Sequence, residues 1–195
     1  DFSKSRFEWV EEMSSGKSSM LAALQKAKEI TEKWIANHRN SFPPMILNIT
    51  DGLPADDPVS IKRVQEGNLL GDLSTLPIVA AARDIQKLAT TDGNVLLCNA
   101  YISAADGGTS ISYPTNTQNI GDSIVELMFE MSSVIPDNLL NAGVEMELPV
   151  RPGSRLFLFN SEAHSLLNFL RFGTSAALSG LNESNNDDNS SNDGE

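Results

Sequence analysis

The chain has 195 residues and sets 14 Lys+Arg against 26 Asp+Glu, for a net charge of −12 and a pI near 4.5. That balance argues against a nucleic-acid backbone or an anionic membrane surface as partner, because both need a basic footprint. A single cysteine, two histidines far apart (His38 and His164) and no apolar run near the ~20 residues of a membrane span exclude an intrachain disulfide, a cysteine zinc cluster, a paired-histidine metal motif and a spanning helix.

The chain opens on Asp1-Phe2-Ser3-Lys4 with neither a Met nor a signal-peptide pattern, which reads as a processed or trimmed start and a cytoplasmic protein. Residues 1–6 are expected to form a flexible start, 7–175 an α/β domain and 176–195 a disordered, acidic, Asn/Ser-rich tail. Residues 183–195 alone hold five acids and no base, which leaves −7 on the rest.

Ser18-Ser19 can cap a helix running from Met20 to about Asn37. Met20, Leu24, Ala27, Ile30, Trp34 and Ile35 make one apolar stripe, while Gln25, Lys26, Glu29, Glu32 and Lys33 fall largely on the other face. Both tryptophans, Trp9 and Trp34, read as core or edge packing. Pro43-Pro44 breaks the chain. Met45–Thr50 then reads as a short strand buried on both faces, ended by the turn Asp51-Gly52-Leu53-Pro54.

Residues 53–76 read as a long connection, with Asp56 and Asp57 as solvated loop charges. A helix is expected from Pro77 to Ala89, a turn at Asp92-Gly93 and a strand from Asn94 to Ser103, with Cys98 as a small buried hydrophobe. Residues 104–119 read as a loop, 121–133 as a helix closed by Ser132 and Ser133, and Asp137–Ala142 as one helical turn. Arg155–Asn160 reads as a strand and Glu162–Arg171 as a final helix. Strands alternating with helices imply an α/β, Rossmann-like, mostly parallel sheet with helices on both faces. Ligands in such sheets bind at the carboxyl ends of strands, so Asp51 is the first candidate residue.

Two local patterns compete around that position. Gly16-Lys17-Ser18 at a helix start, with Asp51 after an apolar strand, imitates a phosphate-binding loop and its metal-holding Asp, which would make the protein a nucleotide hydrolase. Glu11 stands where that loop needs a glycine, and its carboxylate would repel phosphate. Asp1-x-Ser3-x-Ser5 offers a second set of oxygens, but no apolar strand precedes it and twelve residues separate Ser5 from Ser18, so a flexible terminus is the other reading. Ser18 can equally be only a helix cap, and Asp51 only a turn former.

Gly16-Lys17-Ser18-Ser19-Met20-x-x-Ala23-Leu24 resembles the second metal loop of bacterial von Willebrand factor A (VWA) domains, usually Gly-Gly-Thr-Pro-Met followed by a helix with Ala-Leu. Asn48-Ile49-Thr50-Asp51-Gly52 resembles their third metal loop. Phe7-x-Trp9-Val10 resembles the strand entering the second loop, and Thr91–Leu97 and Phe129–Pro136 are similar to later segments of one bacterial subgroup.

The resemblance implies a Rossmann-like sheet whose carboxyl edge holds Mg²⁺, or Mn²⁺, with one position open for a carboxylate from a partner protein. It implies a non-enzymatic interaction module, of the kind that works beside kinases and phosphatases in bacterial stress or tellurite-resistance systems. By position, the Ser18 hydroxyl and the Asp51 carboxylate are the metal ligands, with Lys17 in place of a usual glycine. The family's first loop, an Asp and two Ser on the central strand, should precede residue 7. The resemblance therefore implies an N-terminally incomplete domain with an exposed sheet edge, in which two oxygens hold the reluctantly dehydrating Mg²⁺ poorly.

Overall fold

A computed structural model describes residues 18–67, 72–103, 110–118, 120–161, 165, 167–168 and 171–172. The segments around Asp1-x-Ser3-x-Ser5, Phe7–Val10, Glu11 and Gly16-Lys17, and the tail, lie outside the described residues.

The first helix, α1 (Met20–Asn37), and the first strand, β1 (Met45–Thr50), have the bounds that the stripe and the Pro43-Pro44 break predict. Residues 53–76, expected as plain connection, contain α2 (Pro58–Gln65) and a short 3₁₀ turn, Leu73–Thr75. The signal was present locally: Asp57 is an N-cap acceptor and Pro58 opens the first turn. Next comes α3 (Pro77–Gln86), which stops short of Ala89 because β2 (Ala89–Thr90) pairs antiparallel with β3 (Gly93–Asn94) around the turn. Then follow β4 (Leu96–Tyr101), β5 (Ile111–Ser112), α4 (Ser123–Met131), α5 (Asp137–Glu145) and β6 (Phe157–Phe159). Helical geometry returns at Ser165, Leu167–Asn168 and Arg171–Phe172.

The main sheet has the order β1-β4-β6-β5. β1 and β6 both run parallel to β4, and β5 runs antiparallel to β6, so the fold is α/β with a mixed, mostly parallel sheet. All six residues of β4 are buried, as a central strand with cover on both faces requires. Its alternate residues feed two cores. Leu97 and Tyr101, with Val95 just before the strand, join Met20 and Leu24 of α1, Ile78, Val79, Ala82 and Ile85 of α3, and Val125 and Met128 of α4. Leu96, Cys98 and Ala100 join Leu139 of α5, Leu156, Leu158 and Phe172. Burial pushes the Cys98 thiol far above its ordinary range, so it behaves as the expected small hydrophobe.

Two expectations are corrected. β1 is not buried on both faces: five of its six residues are half-buried or exposed, and Ile49 is 53 % exposed. Of the core and edge packing expected for Trp34, the core reading fails. Trp34 lies on the exposed side of α1, stacked on His38 with ring centroids 4.5 Å apart.

Arg155 braces the end of α4. Its guanidinium donates to the carbonyls of Glu130 (3.1 Å) and Ser132 (2.9 Å) at the end of α4 and sits 4.8 Å from the Phe129 ring centroid. Glu130 pairs with both Arg155 (3.3 Å) and Arg83 (2.6 Å), tying α4 to α3. Ser132, expected to bond back onto its helix, does so to the Met128 carbonyl at 2.8 Å.

Candidate functional site

The carboxyl edge of the sheet is built first by backbone. The Ile102 amide donates to the Thr50 carbonyl at 2.9 Å, and the Asn160 amide to the Tyr101 carbonyl at 2.9 Å, so the ends of β1, β4 and β6 stay level. Asn160 adopts φ 44, in the left-handed region that Asn tolerates. There its side-chain oxygen accepts from the Ser103 amide at 2.6 Å.

Asp51 is the first residue past β1 and is exposed. Its turn is fixed by the preceding threonine: the Thr50 hydroxyl accepts from the Gly52 amide (3.2 Å) and donates to the Gly52 carbonyl (3.0 Å). This small side-chain turn presents Asp51 at its apex.

Ser18 reaches the same edge from the other direction. Its carbonyl accepts from the Ala55 amide at 2.8 Å, which ties the entry of α1 to the loop that follows Asp51. Ser18 does not cap the helix. Ser19 holds the N-cap position without a side-chain capping bond, and the Asp56 carboxylate does the capping, accepting from the amides of Leu21 (3.1 Å) and Ala22 (2.8 Å). Asp56 is therefore not the solvated loop charge expected of it, because a helix N-terminus with orphan amides lies beside it.

Partial burial raises the Asp56 pKa, but the amides of Ala22 and Leu21 outweigh it, and the net shift is downward. A carboxylate whose folded pKa lies below its unfolded value stabilises at neutral pH, and that contribution is lost as pH falls through the folded pKa. Asp56→Ala is expected to cost about 1 kcal/mol at pH 7 and nearly nothing once the wild-type carboxylate is protonated. Urea denaturation of both proteins at pH 7 and at successively lower pH checks this; a gap that widens on acidification would refute the cap.

Asp57 is also not a solvated charge. It is 1 % exposed and caps α2 while reaching the start of α3.

Sequence reasoning did not single out two further residues of this edge, Tyr101 and Asp122. Burial pushes the Tyr101 phenol up, a hydrogen bond with Ser103 opposes that, and the negative charges of Asp122 and then Asp51 add to the upward push. Both carboxylates therefore lie close enough to act on one phenol. Asp122 caps α4 through the amides of Ile124 (2.7 Å) and Val125 (3.3 Å). Tyr101 stacks on Phe159 at 5.5 Å between centroids. The cap pattern Asp122-Ser123 ahead of an apolar helix was the readable signal; the influence of the two acids on Tyr101 was not.

The structure thus brings Ser18 and Asp51 to one edge through the 51–56 turn. A hydroxyl and a carboxylate are the oxygen donors that Mg²⁺ prefers, but the ion takes six oxygens in near-octahedral order. Among the described residues, no group of three or more His, Cys, Asp or Glu gathers closely enough to hold an ion, and Asp56 and Asp122 are already engaged with helix amides. The described residues do not by themselves make a complete Mg²⁺ site. For the rival phosphate-binding reading, Gly16 and Lys17 lie outside the described residues.

No family model, curated protein or solved structure matches the chain. No helix among the described residues is long and apolar enough to cross a membrane.

Proposed function

We propose that this chain belongs to a VWA-type protein-interaction module rather than an enzyme, one that takes a partner protein's carboxylate at the carboxyl edge of its sheet with the help of Mg²⁺ or Mn²⁺. Ser18 and Asp51 would contribute two of the oxygens, with the rest supplied from outside the described residues. A place in bacterial stress or signalling is part of the same proposal and rests on the motif resemblance alone.

The observation that carries the reading is the pairing of two loops. Ser18 and Asp51 are 33 positions apart, yet the Ser18 carbonyl is bonded to the loop just past Asp51, and Asp56 relieves Ser18 of a capping role. What supports it further is that Asp51 stands at a strand end, where open α/β sheets bind ligands, and that Ser18 is tied to the loop that follows it.

Calorimetric titration of Mg²⁺ and Mn²⁺ tests it, using the wild type, Ser18→Ala and Asp51→Ala. Each substitution is expected to weaken binding at least about tenfold, since each removes one ligand from a site that has few. Equal affinity in wild type and Asp51→Ala would remove Asp51 from the site and the reading with it.

A further inference from the structure

A cavity of about 270 Å³ opens at the amino end of the sheet, the end away from Asp51. The segment entering β1, the β2–β3 hairpin and the start of α5 meet there. Backbone bonds fix all three. The Leu96 amide donates to the Pro44 carbonyl at 3.1 Å, the Thr91 amide to the Arg39 carbonyl at 2.9 Å, and the Leu139 amide to the Pro136 carbonyl at 2.9 Å. The cavity is therefore shaped by ordered chain on every wall named here, as a pre-formed site requires.

Its walls are apolar. Leu96 and Leu139 are buried members of the core around Cys98 and Leu158, and Phe42 packs against that core. Pro43 and Pro136 add rings and, having no N–H, offer no backbone donor. The mouth is rich in acceptors instead. Asp92 brings a carboxylate, which when ionised only accepts. Asn94 gives its side-chain NH₂ to the Gln86 carbonyl at 2.8 Å, so its amide oxygen is the group it can offer a ligand. The start of α5 contributes amides, but Asp137 in its first turn sets a second carboxylate against their partial positive charge.

Size and chemistry together define the ligand. The volume lies just below the ~300–1,000 Å³ usual for small-molecule sites and equals that of about nine liquid waters at ~30 Å³ each. It suits one ring or a branched chain of roughly ten non-hydrogen atoms and is too small for a nucleotide. Apolar walls take an apolar body. Acceptors at the rim take a donor, and a carboxylate among them takes a cation. An anion of the same size would meet Asp92 at the mouth and Asp137 beside it.

We infer that this cavity binds a small primary amine, its apolar body against Phe42, Leu96 and Leu139 and its ammonium group at the mouth, on the Asp92 carboxylate and the Asn94 amide oxygen. This site lies at the opposite end of the sheet from Asp51 and stands apart from the metal reading.

Titration of the 195-residue chain with phenethylammonium chloride, followed by residue-resolved NMR, decides it. The Leu96 and Leu139 methyl groups and the Asn94 side-chain amide are expected to shift together and to saturate, with a Kd near or below about 1 mM. Asp92→Asn is expected to weaken the amine about three- to tenfold, the loss of a charge-assisted bond at a partly solvated mouth. Phenethyl alcohol, neutral and of the same shape, should bind the wild type more weakly than the amine and should not distinguish it from Asp92→Asn. Asn138→Trp, at an exposed lining position, should block the mouth and abolish the shifts. The Asn99 amide, bonded to the Leu156 carbonyl at 3.0 Å, should keep its resonance in both variants and report an intact fold. Any of three results would overturn the proposal: no saturable shift up to about 20 mM amine, equal affinity of wild type and Asp92→Asn for it, or shifts that survive Asn138→Trp.

Discussion

Asp57→Ala is expected to be among the most damaging single substitutions in this protein. The Asp57 carboxylate accepts from the Ser60 amide (3.1 Å), the Ser60 hydroxyl and the Ile78 amide (3.0 Å). Ser60 and Ile78 are both fully buried. One side chain therefore satisfies the first turns of α2 and α3 together, where water cannot substitute. Alanine would leave two amides and a hydroxyl unpaired, at about 1–3 kcal/mol for each buried group left alone. With partial relaxation the loss is expected to total about 3–5 kcal/mol, a large part of the ~5–15 kcal/mol that holds a domain together. Asp57→Asn should lie between the two, because its amide group presents a donor where Oδ2 now accepts. Urea denaturation followed by circular dichroism measures both; an Asp57→Ala midpoint matching the wild type would show that the three bonds contribute nothing.

Phe157→Ala is expected to cost about the same, through packing rather than polarity. Phe157 is fully buried in β6, and its ring meets Phe129 edge-on at 6.3 Å between centroids. Its carbonyl also accepts from the Tyr113 amide at 2.9 Å, so the strand is held on both sides and cannot collapse easily into a void. Removing a buried phenyl group leaves a cavity and costs about 3–5 kcal/mol. Phe157→Leu keeps most of the volume and should cost under about 1.5 kcal/mol beyond the lost ring pair. The same denaturation series checks the order Ala, Leu, wild type. If Leu proves as damaging as Ala, the loss is not one of cavity volume.

These two residues differ in how readable they were. Phe157 stands in Arg155–Asn160, a short apolar run expected as a strand, and only its trimming to Phe157–Phe159 came from the structure. Asp57 was expected as a solvated charge, because a carboxylate in a polar loop usually is one. What buries it is the approach of Ile78, 21 positions later, which no local pattern reports. Asp56 is the same case at longer range, since it caps a helix that begins 36 positions before it.

The candidate site divides in the same way. Ser18 and Asp51 were readable as a helix start and a strand end, and Asp51 does follow β1 at its carboxyl end. That Ser18 is tied to the Asp51 loop and freed of capping needed the Asp56 contact. Tyr101 and Asp122 joined the edge only once β4 and α4 were packed.

The sequence by itself determined the elements with strong periodicity and clear punctuation. α1 and β1 have their expected bounds because an apolar stripe and the Pro43-Pro44 break act within a few residues. It also determined the α/β class, through the alternation of those elements. The tertiary structure decided strand order, the exposure of Ile49 on β1, the two-residue strand β5 and the extension of α5 to Glu145. It alone brought Asp56 to the N-terminus of α1 and Asp57 to that of α3. The physical reason is range: propensity and hydrophobic period are local free energies, whereas burial of a charge or exposure of a strand depends on groups tens of residues away.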